Sequence, residues 1–174
     1  IEHHWPEAGK AADPVAALYE CITDATSRLV AEWFAAGFVH GVLNTDNITV
    51  TGESFDYGPW RFLETFDPRF TAAYFDQFGL YSFARQPEAI HWNLARFGEC
   101  LIPLSDQARI EPIFDGFTAR FQKALARQTL ARLGLAMPDD TDRAIGIVHD
   151  FYGTLYMSKA PFERTFFDLL GGGI

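Results

Sequence analysis

The stretch FVHGVLNTDNITVTGESFDYG, residues 38–58, decides how the chain is interpreted. Its polar residues fall mainly in two groups, Asp46-Asn47 and Asp56-Tyr57-Gly58. Between these groups, β-forming residues lie on both sides of a Gly-Glu pair, which predicts two short strands, 48–50 and 54–55, joined by a tight turn. Such a hairpin would bring the end of the loop at Asn47 beside Asp56. The stretch therefore predicts a polar site formed by a loop and one small β-hairpin.

Composition limits the class of protein. The chain has 174 residues, of which 48% are hydrophobic and 16% aromatic, so we expect residues 1–174 to form a single domain with a dense core. Net charge is −9, with three lysines, which argues against nucleic acid as a partner. No apolar run approaches the ~18 residues that span a bilayer, and no signal peptide is visible. Cys21 and Cys100 lie outside any metal-binding spacing, so we expect a cytoplasmic protein with reduced thiols.

The flanking sequence is mainly helical in pattern. Asp13-Pro14 is a typical helix start and Gly37 a typical helix end, with an apolar face between them. Residues 57–86 predict a long ordered loop with at most one short helix. From Pro87 onward the spacing of apolar residues predicts further helices, with Ser105 as a cap and a kink or break at Pro112. The predicted fold class is therefore mostly α with one small β-hairpin.

The polar residues suit chemistry on ATP, which needs divalent metal on hard oxygen ligands and a carboxylate near the attacking hydroxyl. The order helix, His-Gly loop, Asn47, hairpin and Asp56-Tyr57-Gly58 resembles the C-terminal lobe of a protein-kinase-like fold. In the small-molecule kinase pattern H-G-D-x-x-x-x-N the third residue is the base, and here it is Val42, which cannot accept a proton. Asp46, four positions later, supplies a carboxylate in the same loop. We expect His40 to have a structural role.

The motifs HGVLNTDN and DYGP are similar to those of the selenoprotein O (SelO) family, kinase-fold proteins once classed as pseudokinases. The similarity continues through FLETFDPRF, the D-x-x-G-x-Y of residues 76–81 and QPEAIHWNLARF. The family transfers AMP from ATP to protein hydroxyls, with ATP flipped relative to kinases. The resemblance implies ATP with Mg²⁺ or Mn²⁺ as cofactors and proteins with accessible Ser, Thr or Tyr hydroxyls as partners. It also implies that Asp46 is the catalytic base and that Asn47 and Asp56 bind the metal and nucleotide.

The chain departs from the family pattern at several positions. Ala72 stands where the family commonly has a cysteine, which puts redox control there in doubt, and Leu80 replaces a typical arginine. There is no Gly-rich loop and no strand lysine, and Lys10 lies in a predicted loop. We therefore expect a C-lobe-like portion of a larger protein, without its N-terminal lobe. Such a chain should be inactive alone and should self-associate through an uncovered apolar face.

The sequence leaves two alternative functions open. A non-catalytic kinase-like scaffold that binds a partner would explain the missing lobe, but not the retained Asp46, Asn47 and Asp56. A small-molecule phosphotransferase would need a carboxylate where Val42 stands.

Overall fold

The computed structural model describes residues 1–172 and is mostly α-helical, as predicted. The first helix, α1 (Pro14–Ala36), begins as expected, because the Asp13 carboxylate accepts hydrogen bonds from the backbone N–H groups of Val15 and Ala16. It ends at Gly37, whose φ of 67° is the left-handed conformation that favours glycine. A side chain at this position would also collide with the ring of Phe162, only 2.7 Å from the position of a Cβ atom.

Five further helices and two strands follow α1 in the described residues. The strands are β1 (Phe38–His40) and β2 (Trp60–Phe62), and the helices are α2 (Gln86–Leu101), α3 (Gln107–Asp115), α4 (Phe117–Arg132), α5 (Thr141–Ser158) and α6 (Phe162–Phe167). Short 3-10 turns lie at Ala8–Lys10, Thr45–Asn47, Phe83–Arg85 and Ile102–Leu104, and a π turn covers Asp168–Gly172.

The small sheet exists, but its strands lie on either side of the predicted hairpin, residues 48–55, and not within it. β1 pairs antiparallel with β2, with Val39 opposite Arg61. The predicted strands 48–50 and 54–55 are wrong, because this segment contributes only one isolated bridge, between Ile48 and Ser54. The longer ladder instead forms at the base of the loop, where two runs rich in aromatic and β-branched residues meet. The 48–55 segment is therefore the tip of a long connection that β1 and β2 close.

Other local predictions need smaller corrections. His40 is the last residue of β1 rather than a loop residue, and the segment 57–86 contains β2 as well as a 3-10 turn. Asp106, not Ser105, caps α3 by accepting the N–H of Ala108. Pro112 lies inside α3, and the break comes at Gly116, after which α4 begins. The helix therefore continues for three residues beyond the proline before the break.

Two clusters of buried side chains form the core. One joins α1, α2 and α3 and includes Tyr19, Ile90 and Ile110. The other joins the base of the loop to α4, α5 and α6, and includes Val39 and Phe162. Helix α1 packs along α4, and α4 packs on α5. No helix within residues 1–172 combines the length and apolar character needed to cross a membrane.

The C-terminal segment is joined to the turn that follows β2. The backbone N–H of Phe162 donates to the carbonyl of Glu64 at 2.8 Å, and Thr65 forms a bridge with Pro161. The Arg132 guanidinium donates to the carbonyl of Ala35, near the end of α1, and to the Glu163 carboxylate. These contacts hold the start of α6 against the end of α1.

Candidate functional site

Gln86, at the start of α2, anchors β1. Its side chain is fully buried, and its amide oxygen accepts the backbone N–H of His40 at 2.9 Å. The amide nitrogen donates to the carbonyl of Phe38 at 3.1 Å and to that of Phe83. A buried backbone group without a partner is costly, so this one amide satisfies groups that the two-stranded sheet leaves open.

Asn93 repeats this role two helical turns further along α2. Its amide nitrogen donates to the carbonyl of Leu43 at 3.1 Å, three residues after β1 ends. Residues seven apart lie on the same face of a helix, so Gln86 and Asn93 both point toward the loop. The segment from Phe38 to Leu43, which is β1 and the start of the loop, is therefore held by two buried amides of a single helix.

His40 is a structural residue, as expected from the sequence. Its Nδ1 accepts the backbone N–H of Val42 at 3.1 Å, so the ring proton lies on Nε2, which donates to the Ser54 hydroxyl at 2.9 Å. The Ser54 hydroxyl reaches the carbonyl of Asn47 at 3.4 Å. Burial lowers the pKa of His40 to about 4, despite the opposing effect of nearby Asp56. A neutral imidazole thus ties the start of the loop to its far end.

Gly41 is required by a close approach of two segments. A Cβ atom at this position would lie 2.0 Å from the carbonyl oxygen of Pro59. The chain therefore returns to within backbone contact of Gly41 directly after the Asp56-Tyr57-Gly58 group. This contact explains the glycine of the His-Gly pair in physical terms.

The candidate base and one candidate metal ligand are neighbours in a single 3-10 turn, Thr45–Asn47. Asp46 is exposed, and its carboxylate accepts no hydrogen bond from any residue in the range 1–172. The amide nitrogen of Asn47 donates to the carbonyl of Val42 at 2.9 Å, which leaves its amide oxygen as the group for a ligand. The carboxylate is therefore accessible to a substrate, while the amide is oriented by the loop.

Asp56 lies across the loop from Asn47. The backbone N–H of Phe55, its neighbour, donates to the carbonyl of Asn47 at 2.9 Å. One oxygen of Asp56 accepts the N–H of Gly58 at 2.9 Å in a local turn, so the carboxylate retains acceptor capacity. An amide oxygen and a carboxylate are hard donors that fit Mg²⁺ or Mn²⁺. Across residues 1–172, no three His, Cys, Asp or Glu side chains are grouped closely enough to hold a metal ion.

Tyr81 and Asn44 also belong to this region, although neither was assigned a role from the sequence. The Tyr81 hydroxyl donates to the amide oxygen of Asn44 at 2.6 Å, two residues before Asp46. Burial and the charges of Asp76 and Asp46 raise the pKa of Tyr81, so its hydroxyl stays protonated at neutral pH. The Asp76 carboxylate fixes this tyrosine by accepting the N–H groups of Leu80 and Tyr81. In the sequence, the D-x-x-G-x-Y spacing of residues 76–81 was the feature from which the contact between Asp76 and Tyr81 could have been predicted.

The chain is similar to known proteins over nearly all of its length. Residues 1–171 match the model of a family described as "Protein adenylyltransferase SelO". A relative from Mycolicibacterium smegmatis, named "Protein nucleotidyltransferase YdiU", is 38% identical over 97% of this chain and 36% of its own length. Relatives of the same name from Nitrobacter hamburgensis and Bradyrhizobium are 40% and 38% identical over 95% of this chain.

These relatives define the class as protein nucleotidyltransferases. The chain belongs to the SelO family of protein adenylyltransferases, which confirms the resemblance seen in the loop motifs. It spans about a third of the length of the curated relatives that it matches.

Proposed function

We propose that this chain is the catalytic-loop and metal-binding lobe of a protein adenylyltransferase that transfers AMP from ATP to Ser, Thr or Tyr hydroxyls of other proteins. The observation that supports the proposal is the backbone hydrogen bond from Phe55 to Asn47, which brings the chain next to Asp56 against the turn of Asp46 and Asn47, in a chain that belongs to the SelO family. The remaining lobe, which would clamp the triphosphate, belongs in this proposal to the longer protein.

In the proposed reaction, the substrate hydroxyl oxygen forms a bond to the α-phosphorus while the bond from that phosphorus to the bridging oxygen breaks and pyrophosphate leaves. The exposed Asp46 carboxylate takes the hydroxyl proton. The Asn47 amide oxygen and the Asp56 carboxylate would hold Mg²⁺ or Mn²⁺, which neutralises phosphate charge when bound. The Asn47 bond to Val42 and the His40–Ser54 link keep these groups in place without adding charge.

The metal is expected at Asn47 and Asp56 only together with nucleotide. The loop supplies two oxygen donors, whereas Mg²⁺ prefers six ligands and usually takes phosphates and waters to complete them. We expect Mn²⁺ titrations without nucleotide to leave the NMR signals of Asn47 and Asp56 unbroadened. Broadening should appear when a non-hydrolysable ATP analogue is added. Strong broadening by Mn²⁺ alone would contradict this account.

The decisive experiment uses ATP labelled separately on the α- and γ-phosphates, with the full-length protein and a mixture of candidate protein substrates. Transfer of the α label to protein supports AMP transfer, and transfer of the γ label would show kinase activity instead. If neither label is transferred, the alternative of a kinase-like scaffold is favoured. The chain by itself is expected to bind ATP weakly and to transfer nothing, because in this proposal the Lys and Arg groups that neutralise the triphosphate come largely from the other lobe. Its net charge of −9 adds a modest repulsion of an anionic nucleotide. Micromolar ATP affinity for the chain alone would contradict that expectation.

A further inference from the structure

The N-terminal segment, residues 1–11, forms a series of turns against α1. The backbone N–H of Trp5 donates to the carbonyl of Ile1 at 3.0 Å, and the carbonyl of Trp5 accepts the N–H of Ala8 at 3.0 Å. Ala8 begins a short 3-10 turn that packs on α1, and it is only 3% exposed. The backbone of Trp5 is therefore fixed by hydrogen bonds on both sides, and its half-buried side chain extends from a supported position.

The indole of Trp5 reaches the tip of the loop, residues 48–55. Its Nε1–H donates to the carbonyl of Val50 at 2.9 Å, across 45 positions of the sequence. Within residues 1–172, the other hydrogen bonds of residues 49–53 are made inside the tip itself. Gly52 also lies close to α1, since a Cβ atom there would be 2.6 Å from the Cβ of Ala25. The directional contact that holds residues 49–53 from outside the loop is therefore the bond from Trp5.

The tip is connected to the candidate metal ligands by its own backbone hydrogen bonds. The N–H of Thr49 donates to the carbonyl of Glu53, and the N–H of Phe55 donates to that of Asn47, both at 2.9 Å. Asn47 forms the last of these pairs, and Asp56 directly follows its partner. A tip that moved relative to α1 would therefore shift Asn47 and the backbone before Asp56 together.

We propose that Trp5 is a positioning residue for the candidate metal site and acts through the carbonyl of Val50. The indole N–H fixes the tip against α1, and the paired backbone then keeps Asn47 and Asp56 in one arrangement. Ligand groups that are already ordered bind more tightly, because less freedom is lost on binding. The inference rests on the proposed metal-binding role of Asn47 and Asp56, and it does not require AMP transfer.

The first test is backbone hydrogen exchange, measured by NMR in the chain and in Trp5→Phe, which keeps an aromatic ring and removes the donor. The amides of Thr49 and Gly52 are bonded within the tip, and they should exchange about two- to ten-fold faster in the variant. Trp92→Phe, at a 57% exposed ring that lies over Arg96, is the matched control and should leave both rates unchanged. Equal rates in the wild type and in Trp5→Phe would overturn the anchoring of the tip.

A second observable needs no variant and decides the question even if Trp5→Phe does not fold. The indole N–H of Trp5 should exchange with solvent more slowly than those of Trp60 and Trp92, whose residues are 52% and 57% exposed. If all three exchange at the same rate, the bond to Val50 is not formed and the proposal is wrong.

The positioning role itself is tested by calorimetry, in which the full-length protein is titrated with the complex of Mn²⁺ and a non-hydrolysable ATP analogue. Trp5→Phe should raise the Kd about two- to ten-fold at an unchanged number of sites, and Trp92→Phe should change neither quantity. A merely structural role would lower the number of sites at an unchanged Kd, because only the folded fraction would fall. That result would overturn the proposal.

The same titration separates this inference from the proposed reaction. A wild-type protein that binds the Mn²⁺ complex but transfers no α label would contradict AMP transfer, and the Kd of Trp5→Phe would still decide the role of Trp5. A wild-type protein that does not bind the complex would overturn the metal site and the role of Trp5 together.

Discussion

Residues 38–43 and residues 44–58 form one continuous stretch, but the structure holds them in different ways. The first part is mostly buried and is tied to α2 by Gln86 and Asn93. The second part is mostly exposed, and most of its hydrogen bonds are made within the loop itself, such as Phe55 to Asn47. Two side-chain hydrogen bonds link the parts: the His40 imidazole donates to the Ser54 hydroxyl, and the Asn47 amide donates to the carbonyl of Val42.

The first part therefore anchors the loop to α2, and the second part carries the residues proposed for chemistry. Buried backbone groups with distant partners resist local opening, whereas exposed groups with local partners open at little cost. The candidate base and metal ligands, Asp46, Asn47 and Asp56, all lie in the second part. Substitutions in the first part should therefore change stability, and substitutions in the second should change activity.

Asp46→Ala should have the largest effect, and on activity alone. Loss of a positioned base typically lowers a rate ~10²–10⁴-fold, while ground-state contacts to nucleotide remain. We expect the AMP transfer rate of the full-length protein to fall by that factor, with ATP affinity and melting temperature nearly unchanged. Glu53→Ala removes another exposed carboxylate of the same loop and is the control. Transfer at the wild-type rate in Asp46→Ala would show that the base lies elsewhere.

Gln86→Leu should break the anchored part. The substitution leaves the N–H of His40 and the carbonyl of Phe38 without their side-chain partner, at about 1–3 kcal/mol for each buried group left unsatisfied. The carbonyl of Phe83 keeps the backbone N–H of residue 86 as a donor. We expect the free energy of unfolding to fall by about 3 kcal/mol in urea titrations. Gln122→Leu, on the exposed side of α4, should change it by less than ~0.5 kcal/mol. Similar values for the two variants would refute the anchoring role.

His40 should make stability depend on pH. Its pKa is about 4 in the folded chain, against an ordinary value of 6.5 that we take for the unfolded chain. Below pH 6.5 the unfolded state therefore binds a proton that the folded state does not. The stability present above that pH should decline as the pH falls toward 4, by roughly 3 kcal/mol at most. His40→Gln should be less stable at pH 7 but show a flatter decline across this window. Parallel pH profiles for the two proteins would exclude His40 as the source.

Tyr81→Phe should have the smallest effect. The hydroxyl makes one partly exposed hydrogen bond to Asn44, so its loss should lower the free energy of unfolding by about 1 kcal/mol or less. We expect a less than ten-fold loss in transfer rate, through a looser turn at Asp46. Tyr74→Phe, at a 93% exposed ring, should change neither quantity. A loss in Tyr81→Phe as large as that in Asp46→Ala would give Tyr81 a direct part in the reaction.

Helix ends and the apolar core were predictable because their signals are local. Asp13, Pro14 and Gly37 act through neighbouring backbone groups, and all three have the predicted roles. The sheet was placed wrongly because its pairing joins residues twenty or more positions apart, which no local pattern reports. The Gly-Glu pair inside the loop looks like the tight turn of a hairpin, whereas β1 and β2 are joined by a long connection that has no such turn signal.

The candidate site was predictable in part. Asp46, Asn47 and Asp56 were selected from their spacing, and the structure places the backbone next to Asp56 against Asn47. The anchoring by Gln86 and Asn93 was missed, because the sequence shows only two polar residues on a helix. Their hydrogen-bond partners in residues 38–43 are visible only in the folded chain. The contact of Gly41 with Pro59 was missed for the same reason: it depends on a chain path rather than on a residue type.

The attachment of α6 to the turn after β2 has a consequence for the order of synthesis. The Phe162 ring fills the space over Gly37, far earlier in the chain, and its N–H bonds the carbonyl of Glu64. Domains emerge from the ribosome N-terminal end first, and long-range contacts form late. The loop with Asp46 is thus translated early but lacks its final support until residue 162 has left the ribosome. A nascent chain stopped before that point carries Asp46, Asn47 and Asp56 but lacks the contacts that Phe162 makes with Gly37 and Glu64.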